Sequence, residues 1–229
     1  MRFCNLFVLV LACPALYGQN IPQPLTHVET CNELAKSAVR IDTAEGRGTG
    51  FIVSSDGFIL TAAHVVIDIN AGQYYRTISV TSPHSWTALA TPVLNITEAA
   101  VHDFALLKID RTGLPFLHLG DESTLNSGED LSIVGFPFSA LDESGEYINA
   151  KFCLRGTVAA TTTFGSGKSQ INVIYFQGVS VKGISGSPII SDKTGQVVGV
   201  VNTKLTGIGP ELQKLRDDNT SGRVGGASL

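Results

Sequence analysis

Three side chains in this sequence have the types and spacing to make a nucleophile. His64 lies in Thr61-Ala62-Ala63-His64-Val65-Val66, and Asp103 opens Asp103-Phe104-Ala105-Leu106-Leu107-Lys108-Ile109. Ser185 lies in Gly183-Ile184-Ser185-Gly186-Ser187-Pro188. A serine hydroxyl attacks a carbonyl efficiently only when a histidine takes its proton. That histidine needs a carboxylate to fix its tautomer and hold its charge. One candidate for each role occurs, in the order His, Asp, Ser. A spacing of 39 residues separates the first two, and the second interval is about twice as long. Gly183 lets the backbone aim the N–H groups of Gly183 and Ser185 at one point, where the oxyanion of a tetrahedral intermediate would be held. Each signal has a plain reading alone: a packed histidine, a turn acid, a Gly/Ser hairpin. Together and in order they point to acyl transfer.

Other patterns carry less. The hydrolase elbow Gly-x-Ser-x-Gly is not matched, because Ser187 stands where its last Gly belongs. Gly165-Ser166-Gly167-Lys168-Ser169 lacks the first Gly of a phosphate loop, since position 162 is Thr. Asn95-Ile96-Thr97 and Asn219-Thr220-Ser221 are glycosylation sequons, meaningful only in a eukaryotic secretory pathway.

The elements that must position the three groups read as short strands. Ala38 to Thr43, Thr49 to Val53, Phe58 to Thr61, Ile78 to Val80, Trp86 to Leu94 and Phe104 to Ile109 are apolar or alternating runs. Turn residues separate them, with Ser55-Asp56-Gly57 reading as a hairpin turn. Leu131 to Phe136, Ala150 to Thr157, Asn172 to Phe176, Pro188 to Ile190 and Val197 to Asn202 continue the pattern. Segments 139–147 and 161–170 read as Ser/Gly/Thr-rich loops. Helices are expected only near Glu29 to Lys36 and Glu211 to Asp217. Strands this short, without alternating helices, predict an all-β fold of two six-stranded antiparallel β-barrels. His64 and Asp103 then sit on the first barrel and Ser185 on the second.

The 229 residues can bury a large core, and 43% hydrophobic against 16% charged residues is a globular balance. A net charge of −4 offers no basic field for nucleic acid. Residues 1–18 read as an export signal, with Arg2 before the short apolar run Leu6 to Leu11. An alternative reading takes Val10-Leu11-Ala12-Cys13 as a lipobox, with a lipid anchor at Cys13. No segment reads as transmembrane. Cleavage of the signal leaves Cys31 and Cys153, which an oxidising compartment would join or leave as two buried thiols. No C-x-x-C or clustered His/Cys spacing suggests a metal. The expected organisation is a leader over 19–36, a first barrel over 37–118 and a second over 119–229.

Gly48-Thr49-Gly50-Phe51-Ile52-Val53, the run from Leu60 to Val66, Asp103 to Ile109, Leu119-Gly120-Asp121 and Val134-Gly135-Phe136-Pro137 resemble the HtrA/Deg branch of trypsin-like serine peptidases. The resemblance covers about residues 37–204. It implies His64 as general base, Asp103 as its orienter, Ser185 as nucleophile and Gly183 with Ser185 as the oxyanion hole. It also implies protein or peptide substrates and no cofactor. Val179, six residues before Ser185, would floor the specificity pocket. The sequence departs from the family at Ser187, where HtrA proteins usually carry Gly. No PDZ domain is expected to follow, and the C-terminal part of the second barrel, built from the short stretch after Thr203, is expected to be shortened. The expected protein is an exported serine endopeptidase; the alternative is a non-catalytic binding or scaffold protein with an incomplete pocket. Oligomeric state is not legible.

Overall fold

Side-chain alternation builds the first half of the chain, and its breakdown marks where the two halves meet. A computed structural model of the protein describes residues 26–68, 70–82, 86–137, 150–164, 171–178 and 181–202. It opens with helix α1 (His27–Ser37). Thr26 and Glu29 close a reciprocal capping box at its start, satisfying N–H groups that the helix cannot bond internally. Those hydrogen bonds, the backbone one first, hold the Glu29 carboxyl below its ordinary range.

Strands β1 (Ala38–Asp42), β2 (Arg47–Ile52) and β3 (Phe58–Ala62) follow, then the one-turn helix α2 (Ala63–Val66). A small ribbon, β4 (Ile67–Asp68) with β5 (Gln73–Tyr74), precedes β6 (Ser79–Thr81) and β7 (Thr87–Pro92). Helix α3 (Ile96–His102) leads into β8 (Phe104–Ile109). These strands close a barrel in the order β1-β2-β3-β8-β7-β6. β8 alternates half-buried and buried residues, placing Ala105, Leu107 and Ile109 in the barrel core with Ile41, Ile59 and Val80. The closed order leaves that barrel without free edges.

A 3-10 turn (Glu122–Thr124) leads to β9 (Asp130–Gly135), β10 (Phe152–Phe164), β11 (Ile171–Gly178), β12 (Pro188–Ser191) and β13 (Val197–Val200). They form a curled antiparallel sheet ordered β11-β10-β9-β12-β13. The described residues thus supply five strands of the second barrel. The C-terminal helix expected over Glu211 to Asp217 lies outside them, as do the export signal and Cys13.

β2 and β9 are buried along nearly their whole lengths instead of alternating. A strand is buried on both faces only when something packs on each. For these two the second layer is the other barrel: Phe51, Val134, Phe136, Ile190 and Val197 share one apolar cluster with Leu34 of α1.

His64 lies just past the end of β3, where the apolar pattern puts it, in the one-turn helix α2. Two local expectations need correction. α3 occupies residues read as part of a strand-to-strand link, and its Ala99 is fully buried. β10 runs to Phe164, seven residues past the expected end at Thr157. Thr161, Thr162 and Thr163 suggest a loop by polarity, but threonine is β-branched and the hairpin with β11 pairs all three. The open question about the cysteines is settled: Cys31 and Cys153 are bonded, their Cα atoms 5.8 Å apart. The bridge ties α1 to β10 across 122 residues, a closure that chain entropy alone values at about 4–5 kcal/mol. Among the described residues, no helix is long and apolar enough to cross a membrane.

Candidate active site

Register brings His64 and Asp103 together. β3 pairs with β8 so that Ala62 faces Phe104, which leaves the chain entering α2 beside the residue that precedes β8. The backbone N–H of Ala63 donates to the Asp103 carbonyl (3.1 Å), and that of His64 donates to Asp103 Oδ1 (3.0 Å). The ring then adds its own contact, with Nδ1 lying 2.9 Å from Oδ2 and 3.1 Å from Oδ1. An ionised carboxylate only accepts, so the ring proton belongs on Nδ1 and Nε2 keeps its lone pair. Asp103 holds a left-handed backbone (φ 53°), a conformation that short polar residues tolerate better than most. The pair is not sealed away: the carboxylate side chain is 28% exposed and the imidazole 35%. The pair opens to solvent, where a substrate must arrive.

Ser185 is held by a second set of bonds. Gly186 N–H donates to the Val201 carbonyl (2.5 Å), and Val201 N–H returns to Ser187 (2.8 Å). Gly183 adopts φ 98°, which a side chain would strain, in a turn where Ile184 N–H reaches back to Val181. Among the described residues, nothing accepts a hydrogen bond from the N–H groups of Gly183 or Ser185.

Thr49 of β2, fully buried, is what locks this loop to the first barrel. Its N–H donates to the Ser185 carbonyl (2.8 Å) and its hydroxyl donates to the Gly183 carbonyl (2.8 Å). That hydroxyl also accepts from Phe136 N–H (2.9 Å), while the Thr49 carbonyl accepts from Thr61 Oγ1 (2.7 Å). Thr49 therefore fixes the Gly183–Ile184 and Ser185–Gly186 peptides, which bracket the candidate nucleophile. Sequence reasoning sees it only as part of a family signature. The usable signal is its glycine neighbours, which permit close approach of another backbone.

Gly48 shows how close. A Cβ there would lie 2.5 Å from Val65 Cγ1 and 3.2 Å from the Ser185 carbonyl. Helix α2, with His64, and the Ser185 loop thus pack on one glycine. No hydrogen bond joins Ser185 Oγ to the imidazole among the described residues; without substrate such bonds are often long. Ser187 is fully buried with its hydroxyl unpartnered, seated where Gly135 lacks a side chain. Val179 lies outside the described residues.

The model of the trypsin-like peptidase domain matches residues 48–200. A protein named periplasmic serine endoprotease DegP-like, from Chlamydia muridarum, is 30% identical over 169 residues, covering 71% of this chain and 29% of its own length. Serine protease HTRA1A of Danio rerio is 30% identical over 198 residues, covering 82% and 36%. The chain therefore spans about a third of the length of these relatives. Among solved structures, the Rv3671c protease of M. tuberculosis in an inactive form, carrying a Ser-to-Ala mutation, superposes with a TM-score of 0.61 at 21% identity, covering 86% of this chain and 93% of that one. The HtrA-type protease AlgW with a tripeptide gives 0.61 at 20% identity, covering 87% and 65%. The all-β architecture, a closed barrel beside a curled partial one, is that of the chymotrypsin-like fold of HtrA proteases. With the family model spanning most of both barrels, this chain belongs to the trypsin-like peptidase family, on its HtrA-like branch.

Proposed function

We propose that this chain is an exported serine endopeptidase that cuts peptide bonds through an acyl-enzyme on Ser185. The observation that carries the reading is the His64–Asp103 pair, whose hydrogen bonds leave Nε2 free to accept a proton. In the forward step, His64 Nε2 takes the Ser185 proton as Oγ attacks the substrate carbonyl. Negative charge develops on the carbonyl oxygen, and the N–H groups of Gly183 and Ser185 receive it. The imidazolium then protonates the leaving amine, and the peptide C–N bond breaks. Water, deprotonated by the same imidazole, hydrolyses the ester and returns the proton to Ser185. Asp103 orients the ring and offsets its charge throughout. The relatives' names and the Cys31–Cys153 bridge support export to an oxidising compartment.

The direct test is a fluorophosphonate probe on folded protein. It is expected to add once, at Ser185, with no adduct in Ser185→Ala and a sharply reduced rate in His64→Ala. Intact mass showing no adduct on the wild type sinks the catalytic reading and favours a binding protein on the same scaffold.

Specificity follows from Val179. A preference for Arg or Lys requires a carboxylate in the pocket, because an unpaired buried cation is costly. Val179 brings none, and the whole stretch from Asn172 to Ser185 contains no acid. Cleavage is expected after small or medium apolar residues such as Val, Ala or Leu, with discrimination of about 10–200-fold per methylene. Mapping cut sites in an unfolded protein checks this; a dominant Arg or Lys before the cut would overturn it.

A further inference from the structure

On the face of the second barrel where α1 meets β10, a second constellation lies outside the peptidase machinery. His27 and Cys31 stand one helical turn apart on α1, and Cys153 of β10 meets them from across the chain. Their ligand atoms all fall within 4.8 Å of one another. His27 Nε2 lies 3.5 Å from Cys31 Sγ.

The other ring nitrogen is committed. Nδ1 is 2.7 Å from Ser132 Oγ, and Ser132, fully buried, donates its own proton to Asp192 Oδ1 at 2.5 Å. Having spent its single proton on Asp192, the Ser132 hydroxyl can only accept from the ring. Nδ1 therefore carries hydrogen and Nε2 keeps its lone pair, with Cys31 Sγ beside the ring, 3.5 Å from Nε2 and 3.9 Å from Nδ1. A carboxylate reached through one hydroxyl is the kind of outer partner that orients a metal-binding imidazole.

We propose that reduction of Cys31–Cys153 opens a site for a thiophilic divalent cation, Zn²⁺, held by both thiolates and His27 Nε2. Tetrahedral zinc with Zn–S of about 2.3 Å and Zn–N of about 2.0–2.1 Å places sulfur and nitrogen ligands about 3.5 Å apart and two sulfurs about 3.8 Å apart. The Nε2–Sγ separation is 3.5 Å, and because the sulfur lies beside the ring, Cys31 must turn about χ1 on reduction to reach a metal on the Nε2 axis. Cα atoms 5.8 Å apart allow the sulfur–sulfur spacing once the S–S bond is gone and Cys153 changes rotamer. Water completes the fourth position, since none of the three ligating residues is buried. A phosphine supplies the two electrons: the S–S bond breaks, two thiols form, and the phosphine takes an oxygen from water. Zinc then displaces both thiol protons to solvent. The site does not depend on the peptidase reading.

The experiment is Co²⁺ titration, with Zn²⁺ competition, of the anaerobically reduced full chain. Expected are one Co²⁺ per chain, thiolate-to-cobalt charge transfer in the near ultraviolet, and complete displacement by Zn²⁺, with none of this in the oxidised protein. Cys153→Ser should lose the charge-transfer band, His27→Ala should weaken binding at least tenfold, and Ser132→Ala about 10–100-fold. Circular dichroism of each variant establishes that it is folded. Three results each overturn the proposal: no charge-transfer band in the reduced wild type, loss of its native near-ultraviolet signal on reduction, or an unchanged affinity in folded His27→Ala.

Discussion

Asp103→Asn is expected to lower kcat for peptide hydrolysis by about 10⁴-fold, leaving the fold and the substrate KM nearly unchanged. Two N–H donors converge on this carboxylate, the His64 backbone N–H at 3.0 Å and the ring Nδ1 at 2.9 Å. Asp satisfies both because both of its oxygens accept. Asn has one accepting oxygen and one NH₂ group, so one of the two donors must face a donor. The backbone N–H cannot rearrange, but the imidazole can, by moving its proton to Nε2. Nδ1 then accepts from the amide, and Nε2 no longer has a lone pair for the Ser185 proton. Asn also tolerates the left-handed backbone at this position (φ 53°), so the substitution separates tautomer from strain. Steady-state kinetics with a chromogenic peptide, beside a thermal melt, check the result. A loss under tenfold in folded protein would show that Asp103 does not set the tautomer of a working base.

What the sequence made legible follows the range of the interactions involved. His64 and Asp103 are each marked by short local runs, Leu60 to Val66 and Asp103 to Ile109, and the pairing of β3 with β8 that joins them is a consequence of those runs being strands. Thr49 also sits in a marked run, Gly48 to Val53, but its role is not local: its hydroxyl acts on Gly183, 134 residues away, and on Phe136, 87 residues away. The His27 cluster escapes a sequence reading for the same reason. His27 lies ahead of the helix expected over Glu29 to Lys36, and Cys153 and the Ser132–Asp192 link arrive only through the fold. Composition misleads at Thr161 to Thr163, where polarity suggests a loop and β-branching prevails in the hairpin.

Gly186→Ala is expected to destabilise the protein by about 3 kcal/mol or more and to abolish probe labelling of Ser185. Two independent costs act at one residue. The backbone has φ 85°, where an L side chain costs roughly 1–2 kcal/mol. The added methyl would also sit within 3.0 Å of the Thr49 carbonyl oxygen and of Thr61 Oγ1, and 3.1 Å from Ala62 N. None of these atoms is the free end of a flexible side chain. The Thr49 carbonyl is held by Thr61 Oγ1 at 2.7 Å, and Thr49 N–H is bonded to Ser185 at 2.8 Å. Relief therefore requires the Ser185 loop to back away from β2, breaking the bonds through which Thr49 fixes the Gly183 and Ser185 carbonyls. The methyl thus attacks stability and active-site geometry through the same contact. Gly113, with φ 70° but no atom within 4 Å of where an alanine methyl would sit, provides the control: Gly113→Ala bears the backbone cost alone and should label normally. Urea unfolding and the labelling rate measured on both variants decide the point. A Gly186→Ala protein with the unfolding midpoint of Gly113→Ala and normal labelling would show that the two barrels do not meet the nucleophile loop as tightly as these contacts require.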